Sequence, residues 1–462
     1  MANRKEKDSL GEREIPQDVY WGIQTLRAKE NFPVSGLRAF PVLIRAYASL
    51  KKACVLANRD LNTVPPEIAQ AIIKAADEVL SGRHHDQFII DVYQAGAGTS
   101  FNMNANEVLA NRALEILKKE KGRYDLVSPN DHVNRSQSTN DTFPTASYVA
   151  ILSDLPRLSK SLETLIEAYS KKGKEFSGIL KSARTHLQDA VPITLGQEFK
   201  AYAVALEECR DQISHSAKNL ENVALGGTAA GTGLTAPKGF SKLAVSHLAK
   251  LTGLNLRPVR DQRYGLQSHF PLTNFSASLR NLALELIRLA NDLRLLASGP
   301  LTGFAEIVLP AVQPGSSIMP GKVNPSMAEA LNQIAFDVVS SDMTVALAAQ
   351  AGQLDLNVMT PVATYRILHS MDILANFIPV FAEKGIRGIR AEQERCRHYF
   401  GISPSLATAL NPKIGYLKAA EVFKEAVATK TTILDLVRKK GLLKEEEIKE
   451  VFDPVKLTGD QG

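Results

Sequence analysis

The sequence predicts a mainly α-helical fold in which long helices form a central bundle. Apolar residues recur every three or four positions from Leu155 to Tyr169, the spacing of one buried helix face. The same spacing continues from Ser276 to Leu296 for about six turns. A third apolar-periodic run extends from Met327 to Ala349. Few strand-like segments separate these runs, which is typical of a helical bundle.

Three parts are predicted along the 462-residue chain, which is longer than a single-core domain. Residues 1–140 combine short helices with turn-rich segments. Residues 141–394 contain the long helices, with Pro156 as an expected kink near the start of the first run. Residues 395–462 contain shorter helices, one of which is expected to begin in the acidic stretch after Gly441.

The composition is that of a globular enzyme, with 44% hydrophobic and 23% charged residues. No apolar run reaches the roughly 18 residues that a membrane span needs, so no membrane association is predicted. The net charge is +6, but basic residues alternate with acidic ones, as in Lys444–Lys449. Because no basic stripe with flanking aromatic residues occurs, we expect no nucleic-acid partner.

Cysteine usage indicates a reducing compartment. Cys54, Cys209 and Cys396 are odd in number and widely separated, and none has a CxxC partner. Each is therefore expected to be a small buried thiol. No His/Cys cluster has the spacing of a zinc site, so no metal site is predicted. The first eight residues have no apolar signal region, and a cytoplasmic location is expected.

One polar segment, Gly315–Pro325 with the sequence GSSIMPGKVNP, predicts a functional loop. Its glycines permit tight or left-handed turns, and each proline fixes its own φ angle. Such a loop can present serine hydroxyls, backbone N–H groups, the Lys322 ammonium and the Asn324 amide to one ligand. These groups suit an anion.

Three further blocks accompany this loop: Gly96–Glu107, Ser136–Asp141 and Arg184–Ala190. Together the four blocks resemble the active-site motifs of the fumarase/aspartase superfamily, in the family's order and at roughly its spacing. The resemblance extends from about Asp8 to about Leu457. Members of this family eliminate a group from a succinyl skeleton and leave a fumaryl product.

The resemblance implies a three-part fold whose long helices form a multi-helix core in a homotetramer, with active sites shared between three subunits. The apolar character of the helices at 276–296 and 327–349 independently favours packing between subunits, because these helices are hydrophobic on most sides. The implied substrate is a small dicarboxylate or amino acid, and no cofactor is required. The sequence leaves open whether a divalent cation activates the enzyme.

The reaction removes a proton from a carbon next to a carboxylate, so the enzyme must stabilise an enediolate. By the family pattern, Ser316 resembles the catalytic base and His186 the second catalytic residue. Lys322 and Asn324 are implied partners of one carboxylate, and Ser138, Thr139 and Ser317 of the other. Thr99, Asn140 and His186 would face the leaving group, while Ser100 and Thr185 complete the cage of donors. The sequence does not decide whether Arg27 forms a surface salt bridge or contacts the substrate.

Several phrases resemble the aspartase branch more than the fumarase branch: Asp91–Ser100, Asn130–Asn134, Gln188–Pro192 and Ala351–Met359. This favours reversible elimination of ammonia from L-aspartate to give fumarate.

Two departures leave alternatives open. Leu301 follows Ser298-Gly299-Pro300 where both branches usually have arginine, and Arg263–Pro271 matches neither. The alternatives are an amine lyase for another aspartate-like substrate, or a fumarate hydratase. A non-catalytic relative is a third class, but it would be expected to lose Ser316, Lys322, Asn324 or His186, and all four are present.

Overall fold

The structure, a computed structural model, describes residues 2–459 and confirms the mainly α-helical fold. None of the helices in this range is long and apolar enough to cross a membrane. The helices are α1 Ile23–Asn31, α2 Pro41–Asp60, α3 Pro66–Leu80, α4 Thr99–Ile116, α5 Thr139–Glu175, α6 Leu195–Ala217, α7 Phe240–Thr252, α8 Gln262–Gln267, α9 Phe270–Leu296, α10 Ser326–Gln350, α11 Thr360–Phe381, α12 Gln393–Ile402, α13 Asn411–Ile414, α14 Tyr416–Thr429, α15 Ile433–Lys439, α16 Glu445–Val451 and α17 Pro454–Thr458.

The strands are short and pair two by two. β1 with β2, β3 with β4 and β7 with β8 are antiparallel, whereas β5 and β6 are parallel. The pairing of β3 with β4 shifts register between Ser182 and Arg184. The strands are β1 Asn3–Asp8, β2 Gly11–Pro16, β3 Leu180–Thr185, β4 Gln188–Thr194, β5 Asn222–Val223, β6 Arg257–Pro258, β7 Ile307–Val308 and β8 Arg390–Ala391.

The chain forms two compact units, each assembled from separate stretches. The first unit contains the chain up to Ser159 together with Arg210–Ala283 and Phe336–Leu374. The second contains Lys160–Cys209, Leu284–Ala335 and the chain from Ala375 onward. These units are defined by spatial contacts, and the three-part division along the sequence stays a prediction.

The three predicted long helices are present as α5, α9 and α10. Helix α5 continues through Pro156 without interruption, and its residues Leu158, Leu162, Leu165 and Tyr169 are buried. The predicted apolar face of α9 is also buried. The six leucines of this face are at most 6% exposed: Leu279, Leu282, Leu286, Leu289, Leu293 and Leu296.

Large apolar side chains nevertheless remain exposed on α9 and α10. Leu284 on α9 is 50% exposed, and Phe336, Met343 and Leu347 on α10 are between 55% and 63% exposed. The three α10 residues are separated by seven and four positions, so they lie on one face of the helix. A face of this kind is a candidate contact surface for another chain.

Two expectations for the first part of the chain were incomplete. Its helices include α2 with 20 residues and α4 with 18, which are not short. The hairpin formed by β1 and β2 was not predicted. The predictions for the cysteines are confirmed, since all three are free and buried. Helix α16 begins at Glu445, in the acidic stretch after Gly441 as predicted.

The buried His269 makes stability depend on pH. This side chain is 2% exposed, its Nε2 lies 2.8 Å from the Thr360 hydroxyl, and burial lowers its pKa to about 4. Between pH 4 and the usual value of 6.5, the unfolded chain binds a proton at this position and the folded chain does not. The contribution of the neutral His269 to stability is therefore complete above pH 6.5 and is lost as the pH falls towards 4.

We expect the thermal midpoint of His269→Gln to fall less steeply than that of the wild type between pH 6.5 and 4. Thermal unfolding followed by circular dichroism at several pH values measures both slopes. His398→Gln, at an exposed histidine, should retain the wild-type slope. Identical slopes for wild type and His269→Gln would show that His269 does not contribute to the acid sensitivity.

Candidate active site

The predicted residues Thr99 and Ser100 begin helix α4. The preceding Gly98 has a φ of 84°, and a Cβ atom there would overlap the Phe143 ring, so only glycine fits. Glycine thus lets the chain enter the helix directly above an aromatic side chain. The first turn contains no acidic residue. Its Thr99 N–H is bonded to the Gly96 carbonyl and its Phe101 N–H to the Gln94 side chain at 2.9 Å, so the helix dipole is what presents positive partial charge here.

A second helix N-terminus carries the predicted Ser138, Thr139 and Asn140. The Ser138 hydroxyl accepts a bond of 3.2 Å from the Asn140 backbone N–H, and α5 begins at Thr139. The Asn140 side chain donates to the Ala229 carbonyl at 2.8 Å. These bonds hold three candidate substrate-binding residues in one turn.

Asn102 connects the two helix N-termini. Its side-chain amide on the first turn of α4 donates to the Thr139 hydroxyl on α5 at 3.0 Å. The structure therefore brings Thr99 and Ser100 close to the Ser138–Asn140 turn. Two helix N-termini side by side favour a carboxylate, because their dipoles attract negative charge.

Asp141 supports this turn, and sequence reasoning did not select it. Its fully buried carboxylate accepts from the backbone N–H groups of Ser138 at 3.0 Å, Gly226 at 2.9 Å and Thr228 at 3.0 Å. Desolvation nevertheless raises its pKa to about 6. In the sequence Asp141 is one more polar residue in a polar cluster, so no local signal distinguishes it.

Lys51 is a second supporting residue that was missed. Its buried ammonium group donates to the side-chain oxygens of Asn134 and Gln137, each at 2.9 Å, and burial lowers its pKa to about 7. A signal did exist in the sequence. Lys51 lies four positions after Tyr47 and three before Cys54, so helical spacing places it on the buried stripe of α2.

Thr99 and Ser100 also line a cleft of about 560 Å³ in the first unit. Arg27 lies in the same cleft and forms a bidentate ion pair with Asp8, with distances of 2.8 and 2.9 Å. The hydrogen bond from Arg27 lowers the pKa of the Asp8 carboxyl. Of the two readings of Arg27, the salt bridge is the one present.

In the second unit, Thr185 and His186 lie at the tip of the β3–β4 hairpin. His186 and Leu187 form its two-residue turn, with φ angles of 55° and 58°. This left-handed geometry is the usual one for a two-residue hairpin turn but is uncommon for residues other than glycine, asparagine, aspartate and histidine. Thr185 and His186 are exposed, and Leu187 is 64% exposed.

An ionic cluster holds the base of this hairpin. Arg184 on β3 donates to the buried Glu306 carboxylate at 2.9 Å, and Lys181 lies 2.8 Å from its other oxygen. Lys181 also contacts Glu198 on α6 at 2.8 Å. The strand is anchored by these pairs, so it presents His186 from a fixed base.

The GSSIMPGKVNP segment is a loop, as predicted, and is closed at its base by its own backbone. The Gly315 N–H donates to the Lys322 carbonyl at 2.9 Å, and the Asn324 side chain donates to the Gly315 carbonyl. A Cβ at Gly315 would overlap the Lys322 carbonyl oxygen, which explains the glycine. Because one Asn324 N–H is used here, a carboxylate would be bound by the other.

Ser316 has a distinctive environment within this loop. Its hydroxyl oxygen accepts from the backbone N–H groups of Ile318 at 3.2 Å and Met319 at 2.9 Å. Two amide donors on one oxygen stabilise the deprotonated hydroxyl relative to the neutral one. Ser317 and Lys322 are exposed on the same loop.

The predicted residues thus form three groups. The two helix N-termini are joined in the first unit, and the hairpin and the loop belong to the second unit. Within residues 2–459, no hydrogen bond connects Thr185 or His186 to the 315–325 loop. The same part of the chain contains no cluster of three or more His, Cys, Asp or Glu residues suited to a metal ion.

Comparison with known proteins identifies the family of the chain. Residues 11–340 match a family model described as Lyase, and residues 406–459 match one described as Fumarase C C-terminus. An aspartate ammonia-lyase from Bacillus subtilis (strain 168) is 49% identical over 98% of this chain and 96% of its own length. The aspartate ammonia-lyase of Escherichia coli (strain K12) is 46% identical over the same shares.

Solved structures extend the similarity to three dimensions. A fumarate lyase:delta crystallin from Brucella melitensis bound to cobalt superposes with a TM-score of 0.96 at 46% identity, covering 99% of this chain and 100% of that one. A class II fumarase from Schistosoma mansoni gives the same TM-score at 35% identity, with full coverage of both chains. The chain therefore belongs to the fumarase/aspartase superfamily of lyases.

Proposed function

We propose that this lyase eliminates ammonia from L-aspartate to form fumarate, in a reversible reaction. The Ser316 environment carries the proposal, because a serine becomes a base only when its oxyanion is stabilised and two backbone N–H groups already bind its oxygen. The substrate assignment is supported by relatives named aspartate ammonia-lyase, which are 44–49% identical to this chain.

In the proposed mechanism Ser316 removes the proton from the carbon next to the β-carboxylate. The electron pair of the broken C–H bond moves onto that carboxylate and forms the enediolate. Ser138, Thr139 and Ser317 stabilise the added charge, while Lys322 and Asn324 hold the other carboxylate. Charge-assisted bonds strengthen as the charge develops, so they lower the barrier more than they tighten substrate binding.

Collapse of the enediolate then forms the double bond and breaks the C–N bond. Thr99, Asn140 and His186 face the departing ammonia in this scheme, and no carboxylate is among them. Because the pocket offers neutral acceptors and no permanent ion pair, ammonia can leave as a neutral molecule. Every step is redox-neutral and uses only protein side chains, so we propose that the reaction needs no cofactor.

Substrate choice is tested by following fumarate absorbance with purified protein. We expect absorbance to rise with L-aspartate and fall with fumarate plus ammonium, and to change little with L-malate. Hydroxide is a poorer leaving group than ammonia, and the proposed pocket has no carboxylic acid that could protonate it as a general acid. Faster turnover of malate than of any amino acid would replace the amine-lyase assignment with fumarate hydratase.

We also propose a homotetramer whose active sites combine residues from three subunits, in the cytoplasm. The exposed apolar face of α10, with Phe336, Met343 and Leu347, supports association with further copies. The exposed His186–Leu187 tip on an anchored hairpin suits a residue that reaches into a neighbouring subunit. Sharing between subunits also explains why catalytic groups lie on elements so far apart in the chain.

Complementation tests the shared site. Ser316→Ala and His186→Ala homotetramers should each be nearly inactive. After mild dissociation and joint reassociation, we expect activity to return, because some sites then combine a wild-type serine from one subunit with a wild-type histidine from another. Each variant dissociated and reassociated alone is the control. Mixed tetramers proven by native mass spectrometry but lacking activity would place both residues on one subunit.

A further inference from the structure

The segment that resembles neither branch of the family forms the wall of a separate cavity in the first unit. This cavity has a volume of about 260 Å³. One side is helix α5, which contributes Pro144, Thr145 and Tyr148, and the opposite side includes Arg260, Tyr264 and Phe270. None of the predicted substrate-binding residues lines it.

The wall is held firmly in place. Gly265 packs so closely on Ala224 that an added Cβ would lie 2.8 Å from the alanine methyl carbon. The Leu266 carbonyl accepts from the Asn357 backbone N–H at 3.0 Å. The buried His269 is hydrogen-bonded through its Nε2 to the Thr360 hydroxyl, as described above. These contacts give the cavity a defined shape rather than that of a loose surface loop.

Tyr148 supplies a buried donor to the cavity. Its side chain is only 4% exposed, and its hydroxyl has no hydrogen-bond partner within residues 2–459. Burial raises the pKa of this phenol, so the hydroxyl keeps its proton and remains a donor. Tyr148 lines the cavity, so its hydroxyl can donate a hydrogen bond to a ligand oxygen bound there.

Arg260 supplies a cation to the same cavity. In the described part of the chain its guanidinium forms no ion pair or hydrogen bond, and no Asp or Glu lines the cavity to neutralise it. A carboxylate matches both groups, because a guanidinium binds it through two N–H donors and a phenol adds a third.

The rest of the lining selects the body of the ligand. Val259, Tyr264, Phe270 and Pro271 provide apolar and aromatic surface beside four uncharged polar residues, Thr145, Asn219, Asn222 and Ser268. One cation with no opposing carboxylate does not suit aspartate, which carries two carboxylates and an ammonium. The lining suits a single carboxylate attached to a compact apolar or planar group.

The geometry points to a second binding site in this cavity for a small monocarboxylic acid with an apolar body, held by Arg260 and Tyr148. This site is independent of the elimination chemistry, since it shares no lining residue with the predicted active site.

Benzoate is the probe, and isothermal titration of the full-length protein measures its binding. We expect saturable binding of one benzoate per chain, with the neutral isostere benzamide binding at least about tenfold more weakly. Arg260→Gln and Tyr148→Phe should each weaken benzoate binding by about tenfold or more. Tyr148→Phe keeps the buried ring and removes only the oxygen, so it tests the donor without emptying the core.

Two controls separate this site from other anion sites. Arg257→Gln, at an exposed arginine on β6 outside the lining, should leave benzoate affinity unchanged. Saturating fumarate should also leave it unchanged, because fumarate occupies the active site. The proposal is overturned if no benzoate binds, or if fumarate displaces it. It is also overturned if neither Arg260→Gln nor Tyr148→Phe weakens benzoate binding.

Discussion

Replacement of Ser316 by alanine should lower kcat by several orders of magnitude and leave KM and the proposed tetramer nearly unchanged. The hydroxyl is the only atom lost, and it contacts the backbone N–H groups of Ile318 and Met319 within an exposed loop. Removing it costs the fold little, whereas the reaction loses the group that takes the proton. Steady-state rates of fumarate formation and a mass measurement of the assembly check both parts.

Ser214→Ala is a matched control. This exposed serine also forms only a local hydrogen bond, which its hydroxyl donates to the Arg210 carbonyl of its own helix at 3.0 Å. It should retain wild-type kcat. If Ser316→Ala keeps near-normal turnover as a well-assembled tetramer, then Ser316 is not the base and the proposed mechanism is wrong.

Replacement of Lys322 by methionine should weaken substrate binding and also slow turnover. Lys322 is exposed on the loop and forms no ion pair within residues 2–459, so its charge is available to a substrate carboxylate. A desolvated carboxylate that loses its cation costs about 3–5 kcal/mol, which corresponds to a fall of roughly two to four orders of magnitude in kcat/KM. The chain length of methionine preserves packing and removes only the charge.

Two comparisons sharpen this result. Lys322→Arg keeps a cation and should recover part of the lost affinity, since its planar group is placed differently. Lys424→Met, at an exposed lysine on α14, should behave as wild type. An unchanged KM and kcat in Lys322→Met would show that the ammonium points away from the substrate.

Much of the fold could be predicted because its long helices have strong apolar periodicity. All six leucines that the spacing selected on α9 are buried. The β1–β2 hairpin was missed because Asn3–Asp8 is almost entirely polar and lacks the alternation of a half-buried strand. Its burial pattern depends on contacts made elsewhere, such as those of Arg4 with the carbonyls of Pro16, Val19 and Trp21.

For the candidate site, the residue types and the loops could be predicted from the sequence. The hydrogen bonds that hold these residues in place could not. Asp141 bonds to N–H groups at Gly226 and Thr228, and the sequence separation of at least 85 residues hides that relation. The Asn102–Thr139 bond that joins the two helix N-termini is likewise visible only in three dimensions. Which elements of different subunits meet is not encoded in any local pattern, so the roles of the individual residues stay predictions.

The Ser316 hydroxyl takes both of its stabilising N–H groups from residues two and three positions further along the same loop. In the proposed mechanism, the groups that stabilise the Ser316 base therefore belong to the same loop as the base itself. The rest of the pocket can drift during evolution, and accept a different amine, without rebuilding the base. A change of substrate within such a family would then require changes in the residues around the loop. The loop itself could stay the same, because it contains the base together with the groups that stabilise it.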